Sequence, residues 1–389
     1  MKTGWTTKRL GDVCDFDKAQ GVHRGLPYVG LEHIESNTGK FIGSFDPQPV
    51  KSSTFRFSTE HVLYGRLRPY LNKAIAPDFE GHCSTEIFPI KPTPSLSRDY
   101  LLYWLLADET MDRINGTCTG ARMPRADMKE VLGFEIPVPP LAEQQRIVGV
   151  LDEAFAGLAT AQAHTAKNLQ NARALFESHL QSVFTHRGKG WVEKRKPLTD
   201  LCELIVDCEH KTAPTQELGI PSIRTPNIGK GRLLLDGVNR VSEETYKAWT
   251  RRAEPQAGDL ILAREAPAGN VAVIPENTRV CLGQRTVLIR PNTTVFEPAF
   301  LAFLLLEPKT QAKLLANSRG ATVQHVNMKD IRALDVGAIP SLDVQRSVVS
   351  TLWDLDAETQ RLTRLYEQKQ AALGELKKSL LHQAFTGEL

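Results

Sequence analysis

The sequence predicts an α+β protein built as an internal repeat. A mixed α/β globular half is followed by a long helix, and the pair then occurs a second time. Three observations carry this reading. First, Leu141 to Phe184 contains no Pro after Pro140, and apolar or small residues recur at Ile147, Leu151, Ala154, Leu158, Ala161, Thr165, Leu169, Ala172, Phe176, Leu180 and Val183. Steps of three and four mark one helix face, and their persistence points to a coiled-coil seam. About 40 helical residues would span roughly 60 Å. A two-helix hairpin broken near Thr160 to Ala163 is the competing arrangement. Second, the stretch has an echo at the C-terminus. Pro140, Gln145 and Arg146 return as Pro340, Gln345 and Arg346, and Leu175, Ser178, Leu180, Phe184 and Thr185 return as Leu376, Ser379, Leu381, Phe385 and Thr386. The offset rises from 200 to 201, which implies one residue inserted within the second copy. Third, the globular halves repeat as well. Gly4-Trp5 returns as Gly190-Trp191, Gly25-Leu26-Pro27 as Gly219-Ile220-Pro221, and Leu63-Tyr64-Gly65-Arg66 as Ile261-Leu262-Ala263-Arg264.

The expected boundaries are 1–139 and 187–339 for the globular halves, and 140–186 and 340–389 for the helices. Two helices that each carry an apolar stripe should pack on one another, giving a body with pseudo-two-fold symmetry. Within the halves, short β-branched runs bounded by Gly, Pro and Asn read as strands. They are His61–Leu63, Glu86–Ile90, Leu260–Ala263, Asn270–Ile274 and Thr286–Ile289. A Leu-rich helix near Tyr100–Ile114 matches one near Ala299–Leu315. Short, turn-rich strands favour α+β over a doubly wound sheet.

Composition narrows the class. The chain has 389 residues, 41% hydrophobic and 24% charged, as in ordinary globular proteins. The start, MKTGWTTKRLGDV, has no apolar core of a signal peptide, and no apolar run reaches membrane-spanning length. Six scattered Cys suggest reduced thiols and a cytoplasmic location. The net charge of +3 is uneven: residues 187–340 carry 22 basic and 17 acidic side chains, whereas residues 1–140 carry 17 of each. That excess permits a polyanionic partner without requiring one.

No catalytic pattern is present. There is no Walker A loop, and Gly188/Gly190 and Gly229/Gly231 lack the third Gly of a dinucleotide site. There is no Asn-Pro-Pro-Tyr or Asp-Pro-Pro-Tyr loop for amino-methyl transfer. Glu367-x-Lys369 and Glu375-x-Lys377 fall inside the second long helix, where a nuclease strand cannot lie. Cys202, Cys208 and His210 match no standard zinc spacing and lack a fourth ligand, so Val206–Pro214 reads as a loop and no metal is expected.

The halves do offer side chains able to pair with base edges or neutralise phosphate. In the first half these are Arg66, Arg68, Asn72, Lys73, Arg122 and Arg125. In the second they are His210, Lys211, Thr212, Arg224, Asn227, Lys230, Arg232, Arg264, Gln284, Arg285, Gln324, His325 and Asn327. Arg beside Gly and Pro in loops is a better candidate than Arg on a helix face.

Two differing globular halves, each followed by a helix opening like PVPPLAEQQRIVGVLDEAF (Pro137 to Phe155), with LLHQAFTGEL at the end, resemble the specificity subunit of type I restriction–modification systems. The loops DCEHKTAP and GIPSIRTPNIGKGR also look like that family's target-recognition segments. The second helix departs from the pattern, because Pro340-Ser341-Leu342-Asp343-Val344-Gln345-Arg346 is one residue shorter between Leu and Arg. The resemblance implies two target-recognition domains, each reading one half of a bipartite, asymmetric double-stranded DNA sequence, and an antiparallel coiled coil that sets the spacer. It also implies two methyltransferase (modification) subunits and restriction/translocase subunits as partners, which would hold S-adenosylmethionine, ATP and Mg²⁺. A coiled-coil scaffold without DNA readout, and an enzyme with divergent motifs, remain the alternatives.

Overall fold

The computed structural model describes residues 4–17, 19–48, 50–120, 122–188, 190–316 and 325–389. Its contacts divide the chain into two units, Met1–Ala166 with Glu367–Leu389, and Lys167–Tyr366. Each unit therefore contains a globular half, part of one long helix and part of the other.

In the first unit, strands Cys14–Phe16, Ile87–Pro92, Val62–Gly65 and Ala74–Ile75 lie in that order in an antiparallel sheet. A second sheet orders Gln20–Gly21, Thr54–Phe57, Gly81–Cys83 and Tyr28–Val29, the last pair being parallel. Thr6–Arg9 pairs with Glu135–Val138 and brings the two ends of the globular half together. The second unit repeats this plan. Cys202–Asp207, Thr286–Pro291, Leu260–Ala263, Val271–Val273 and Gly231–Arg232 form one sheet. Arg240–Val241, Ile220–Ile223 and Cys281–Leu282 form another, again with one parallel pair, and Val192–Glu193 pairs with Ala338–Ile339. The expected strands lie within one or two residues of these. Central strands such as Leu260–Ala263 are buried at every residue, which is why they read as continuous apolar runs.

The Leu-rich helices differ from expectation, since each is two helices. Arg98–Leu106 is followed by Asp108–Gly116, and Pro298–Leu306 by Pro308–Leu315. The hinge residues Ala107 and Glu307 are extended, with ψ of 134°. In the second unit the new helix begins with Pro308, which cannot donate to a preceding turn. The Glu307 carboxylate caps it by accepting from the backbone N–H and hydroxyl of Thr310.

Both long helices are uninterrupted 45-residue elements, Leu141–Thr185 and Leu342–Thr386. The hairpin alternative therefore does not occur. Ile147, Leu151, Leu158, Thr165, Ala172, Phe176, Leu180 and Phe184 are buried along the first helix, and Leu151, Leu158, Thr165 and Ala172 follow one another at heptad spacing. The Thr165 hydroxyl is satisfied within the helix by donating to Ala161 O at 2.7 Å. In the first unit Ile147 and Leu151 share a core with Leu381 and Ala384. In the second, Phe176, Leu180 and Phe184 share one with Val349 and Leu352. The start of each helix thus lies with the end of the other, so the pair runs antiparallel.

A buried glutamine docks each helix on its globular half. Gln144 Oε1 accepts from Ser97 N–H at 2.7 Å, and Nε2 donates to Ser95 O and Pro139 O at 3.0 and 2.8 Å. Gln345 makes the same three bonds, with Glu297 N–H at 2.9 Å, Val295 O at 2.8 Å and Pro340 O at 3.0 Å. Both are 0% exposed. Ser97 and Glu297 are helix N-caps, so the amide ties the long helix to the first turn of the Leu-rich helix. These bonds correct the sequence register. Gln345 corresponds to Gln144 rather than Gln145, and Pro340 to Pro139 rather than Pro140. The offset is 201 from the helix start onward, so the inserted residue precedes the second helix rather than interrupting it.

Replacing Gln144 with Met should leave Ser97 N–H and two carbonyls buried without partners, at a cost of about 1–3 kcal/mol. Exposed Gln145→Met should change stability by less than about 0.5 kcal/mol. Denaturant titration of both variants checks this. Equal losses would mean that the docking bond is not the determinant.

Candidate nucleic-acid interface

In both units, loops gather at one end of the central sheet, and the backbone frame there is shared. Arg66 N–H donates to Glu86 O (2.9 Å), and Ala126 N–H to Arg66 O (2.9 Å). In the second unit Arg264 N–H donates to Arg285 O and Val326 N–H to Arg264 O, both at 2.8 Å. Residues 66, 86 and 125 therefore stand where 264, 285 and 325 stand. A second element matches as well. Gly30 N–H donates to His33 Nδ1, and Arg224 N–H to Asn227 Oδ1, each at 3.1 Å across a single 3₁₀ turn.

The side chains on this frame differ. In the first unit the Glu86 carboxylate is shared by two arginines: Arg125 donates through Nε and Nη2 at 2.9 and 2.8 Å, and Arg66 through Nε at 3.0 Å. Burial alone would raise the Glu86 carboxyl. The hydrogen bonds from Arg125 and Arg66 together outweigh it and hold the group below the ordinary carboxylate range. Arg66 also lies over the Phe88 ring, 5.3 Å from its centroid. Phe16, Phe88, Arg66, Arg125 and Lys129 line a cavity of about 430 Å³ beside this cluster.

In the second unit the hub is Arg264, whose side chain is only 12% exposed. Its Nη1 donates to Asp207 Oδ2 at 2.8 Å, Nε to Val326 O at 3.0 Å and Nη2 to His325 Nε2 at 2.9 Å. The last bond places the His325 proton on Nδ1, which faces Glu265 at 3.4 Å. Arg285 pairs with Glu265 at 2.8 Å, His210 with Asp207 at 3.2 Å, and Gln284 Nε2 donates to His210 O at 3.1 Å. Gly283 N–H donates to Ile223 O, which brings the Arg224–Asn227 turn to the same edge. A Cβ at Gly283 would meet Ile223 O at 2.7 Å, so this approach requires glycine.

The structure thus brings together Arg66, Arg68 and Arg125 in one unit, and His210, Arg224, Asn227, Arg264, Gln284, Arg285 and His325 in the other. Lys211, Thr212, Arg122 and Asn327 are exposed nearby in sequence. Gln324 lies outside the described residues. One expectation needs correction, and three further candidates are engaged elsewhere. Asn72 is 0% exposed and its Nδ2 donates to Leu106 O at 3.0 Å, so it is a core residue. Lys73 Nζ donates to Leu31 O at 2.6 Å and ties two loops together. Lys230 pairs with Glu177, and Arg232 pairs with Asp356 and lies 4.6 Å from the Trp353 ring centroid. Both therefore face the long helices of their unit rather than the loop cluster. Arg264, with every nitrogen engaged, positions the loops around it.

The acids that organise the clusters, Glu86, Asp207 and Glu265, carry no signal in the sequence, because complementarity to DNA points to basic and amide side chains and not to carboxylates. The turn Gly30–His33 does carry one. Extending the Gly25/Gly219 repeat by five residues aligns that turn with Arg224–Asn227. Asp207, Cys208 and His210 place potential ligand atoms within 4.8 Å of one another, while Cys202 is not in the group. Asp207 is already committed to Arg264 and His210, and burial raises the Cys208 thiol, both of which oppose metal binding. Glu367, Lys369, Glu375 and Lys377 all lie in the second long helix, as expected.

A family model for the type I restriction modification DNA specificity domain matches residues 2–169 and again 189–371. The EcoDI specificity subunit of a type I restriction enzyme from Escherichia coli is 28% identical over 197 residues, covering 49% of this chain and 43% of that protein. The EcoBI specificity subunit of the same organism is 23% identical over 302 residues, covering 72% and 63%. The matched regions span less than two thirds of either relative. Among solved structures, a chain from work on complex assembly and conformational transition of the type I R-M system superposes with a TM-score of 0.79 at 22% identity, covering 100% of this chain and 99% of that one. The HsdS subunit from Thermoanaerobacter tengcongensis gives 0.64 at 22% identity, covering 100% and 98%. At such identities the likeness establishes the fold.

Because Glu86 is held below its ordinary range, its contribution to stability is full above the unfolded carboxylate pKa and is lost as pH falls through the lower folded value. Glu86→Gln should cost about 1 kcal/mol at pH 7, and the difference from the unmodified protein should vanish on acidification. Stability curves at pH 7 and below 4 check this, and a difference independent of pH would contradict it.

Proposed function

As the chain belongs to the family of type I restriction modification DNA specificity domains, we propose that it is the sequence-reading, non-catalytic subunit of a type I restriction–modification complex. Each unit reads one half of a bipartite, asymmetric duplex target. The observation that carries this is the shared frame with unlike side chains: Arg66, Glu86 and Arg125 in one unit, Arg264, Arg285 and His325 in the other. Equivalent scaffolds presenting different donors and acceptors at loop ends suit two readers of different sequences.

In this reading the chain positions DNA and performs no bond-making itself. Two modification subunits dock on it and supply S-adenosylmethionine and the methyl-transfer chemistry. Restriction/translocase subunits bring ATP and Mg²⁺. The length of the helix pair sets the number of unread base pairs between the half-targets. Among the described residues no helix is long and apolar enough to cross a membrane. The cytoplasm is the location that goes with acting on cellular DNA.

The purified chain should retard duplex DNA at low salt and release it steeply as salt rises. It should transfer no labelled methyl group alone, and adding modification subunits should produce methylation at a split motif. Transfer by the isolated chain would make it an enzyme. Failure to retard duplex at any salt would make it a scaffold.

A further inference from the structure

Among the described residues, six non-glycine residues take left-handed backbone: Asn37, Asn72, Asn277, Arg68, Arg195 and Arg285. This conformation brings Cβ too close to the backbone, and asparagine or glycine is its ordinary occupant. Three positions hold asparagine, and the arginines are the departures. Arg195 follows the short strand Val192–Glu193, away from the loop clusters. The other two lie in those clusters, one in each unit. Arg68 has φ of 52° and its N–H donates to Pro124 O at 2.8 Å, two residues beyond Arg66. Arg285 has φ of 65° and its carbonyl accepts from Arg264 N–H.

Both side chains are available. Arg68 is exposed, and its guanidinium has no hydrogen-bond partner among the described residues. The Arg285 side chain is 62% exposed and is held on one side by Glu265. Arg66, Arg125 and Arg264 contrast with them, since their guanidinium groups are engaged by Glu86, or by Asp207, His325 and Val326 O. The clusters therefore divide their labour. Engaged arginines fix the loops, and one strained arginine in each unit projects outward. Strain retained where a smaller residue would relieve it points to a use for the side chain.

We propose that Arg68 and Arg285 are the specificity-determining residues of their units, each pairing through its guanidinium fork with O6 and N7 of a guanine in its own half-target. This rests on the DNA-reading function proposed above. Glu265 holds the Arg285 fork before DNA arrives, which lowers the ordering cost of binding. Arg68, with no such partner, pays that cost on contact.

The test uses the chain assembled with its modification subunits. Methylation sequencing first defines the motif of the unaltered complex, and synthetic duplexes carrying that motif then serve as probes. Arg285→Gly and Arg285→Asn should melt at or above the temperature of the unaltered protein, because each relieves the left-handed strain. Each should relax one G·C pair in a single half-target, lowering discrimination there about ten-fold or more. Arg68→Gly should do the same in the other half-target. An unchanged motif would overturn the assignment. So would uniform weakening of all duplexes with a shallower salt slope, which marks a phosphate contact, or a fall in melting temperature for both the Gly and Asn variants, which marks a structural role. A motif that is not split in the unaltered complex would instead overturn the functional reading beneath it.

Discussion

A single buried amide in each unit decides where the long helix leaves the globular fold. Gln144 and Gln345 each satisfy one N–H and two carbonyls that the junction between the last strand, the Leu-rich helix and the long helix would otherwise bury without partners. Because a buried polar group without a partner is costly and a satisfied one is neutral or better, the junction tolerates little displacement. The helix direction follows from it, and so does the stripe that faces the partner helix. Ile147 and Leu151 come one and two turns after Gln144, and Val349 and Leu352 follow Gln345 in the same way.

That constraint lets the loop ends vary. The sheets, the paired strands at each junction and the amide dock are common to both units, whereas the cluster at the sheet end is not. In the first unit one carboxylate holds two arginines. In the second one arginine gathers Asp207, His325 and the Val326 carbonyl, and a second arginine is held by Glu265. Similar hydrogen bonds between backbone segments carry both arrangements. A scaffold of this kind can present new side chains to a ligand without altering its core, and this is the property that a reader of changing sequences needs.

Much of this was legible in the sequence, for reasons that also explain the errors. The long helices announce themselves because a heptad stripe sustained over 45 residues has no other explanation. Their register was misread because Pro139-Pro140 and Gln144-Gln145 are doublets, and either member aligns with the single Pro340 and Gln345; only hydrogen-bond partners choose between them. The Leu-rich helices read as continuous because apolar periodicity passes through Ala107 and Glu307, though Pro308 marked the second break. The interface residues were the least legible. Residue type identifies what can touch DNA, but burial decides what does, and nothing local distinguishes the enclosed Asn72 from the exposed Arg68 four residues earlier. The acids that hold the arginines lie 20 to 57 residues away in sequence, so pairing of this kind emerges only from the fold.

The account stands on the independence of the two readers. The most direct measurement exchanges residues 20–120 for the corresponding segment of another family member, keeping Gln144 and Gln345 and choosing a segment whose backbone supplies the groups that Ser95 O and Ser97 N–H offer Gln144, and sequences the methylation produced with the modification subunits. One half-target should be replaced while the other, and the gap between them, stay as they were. A change in both half-targets would show that the units do not read separately, and would contradict the account.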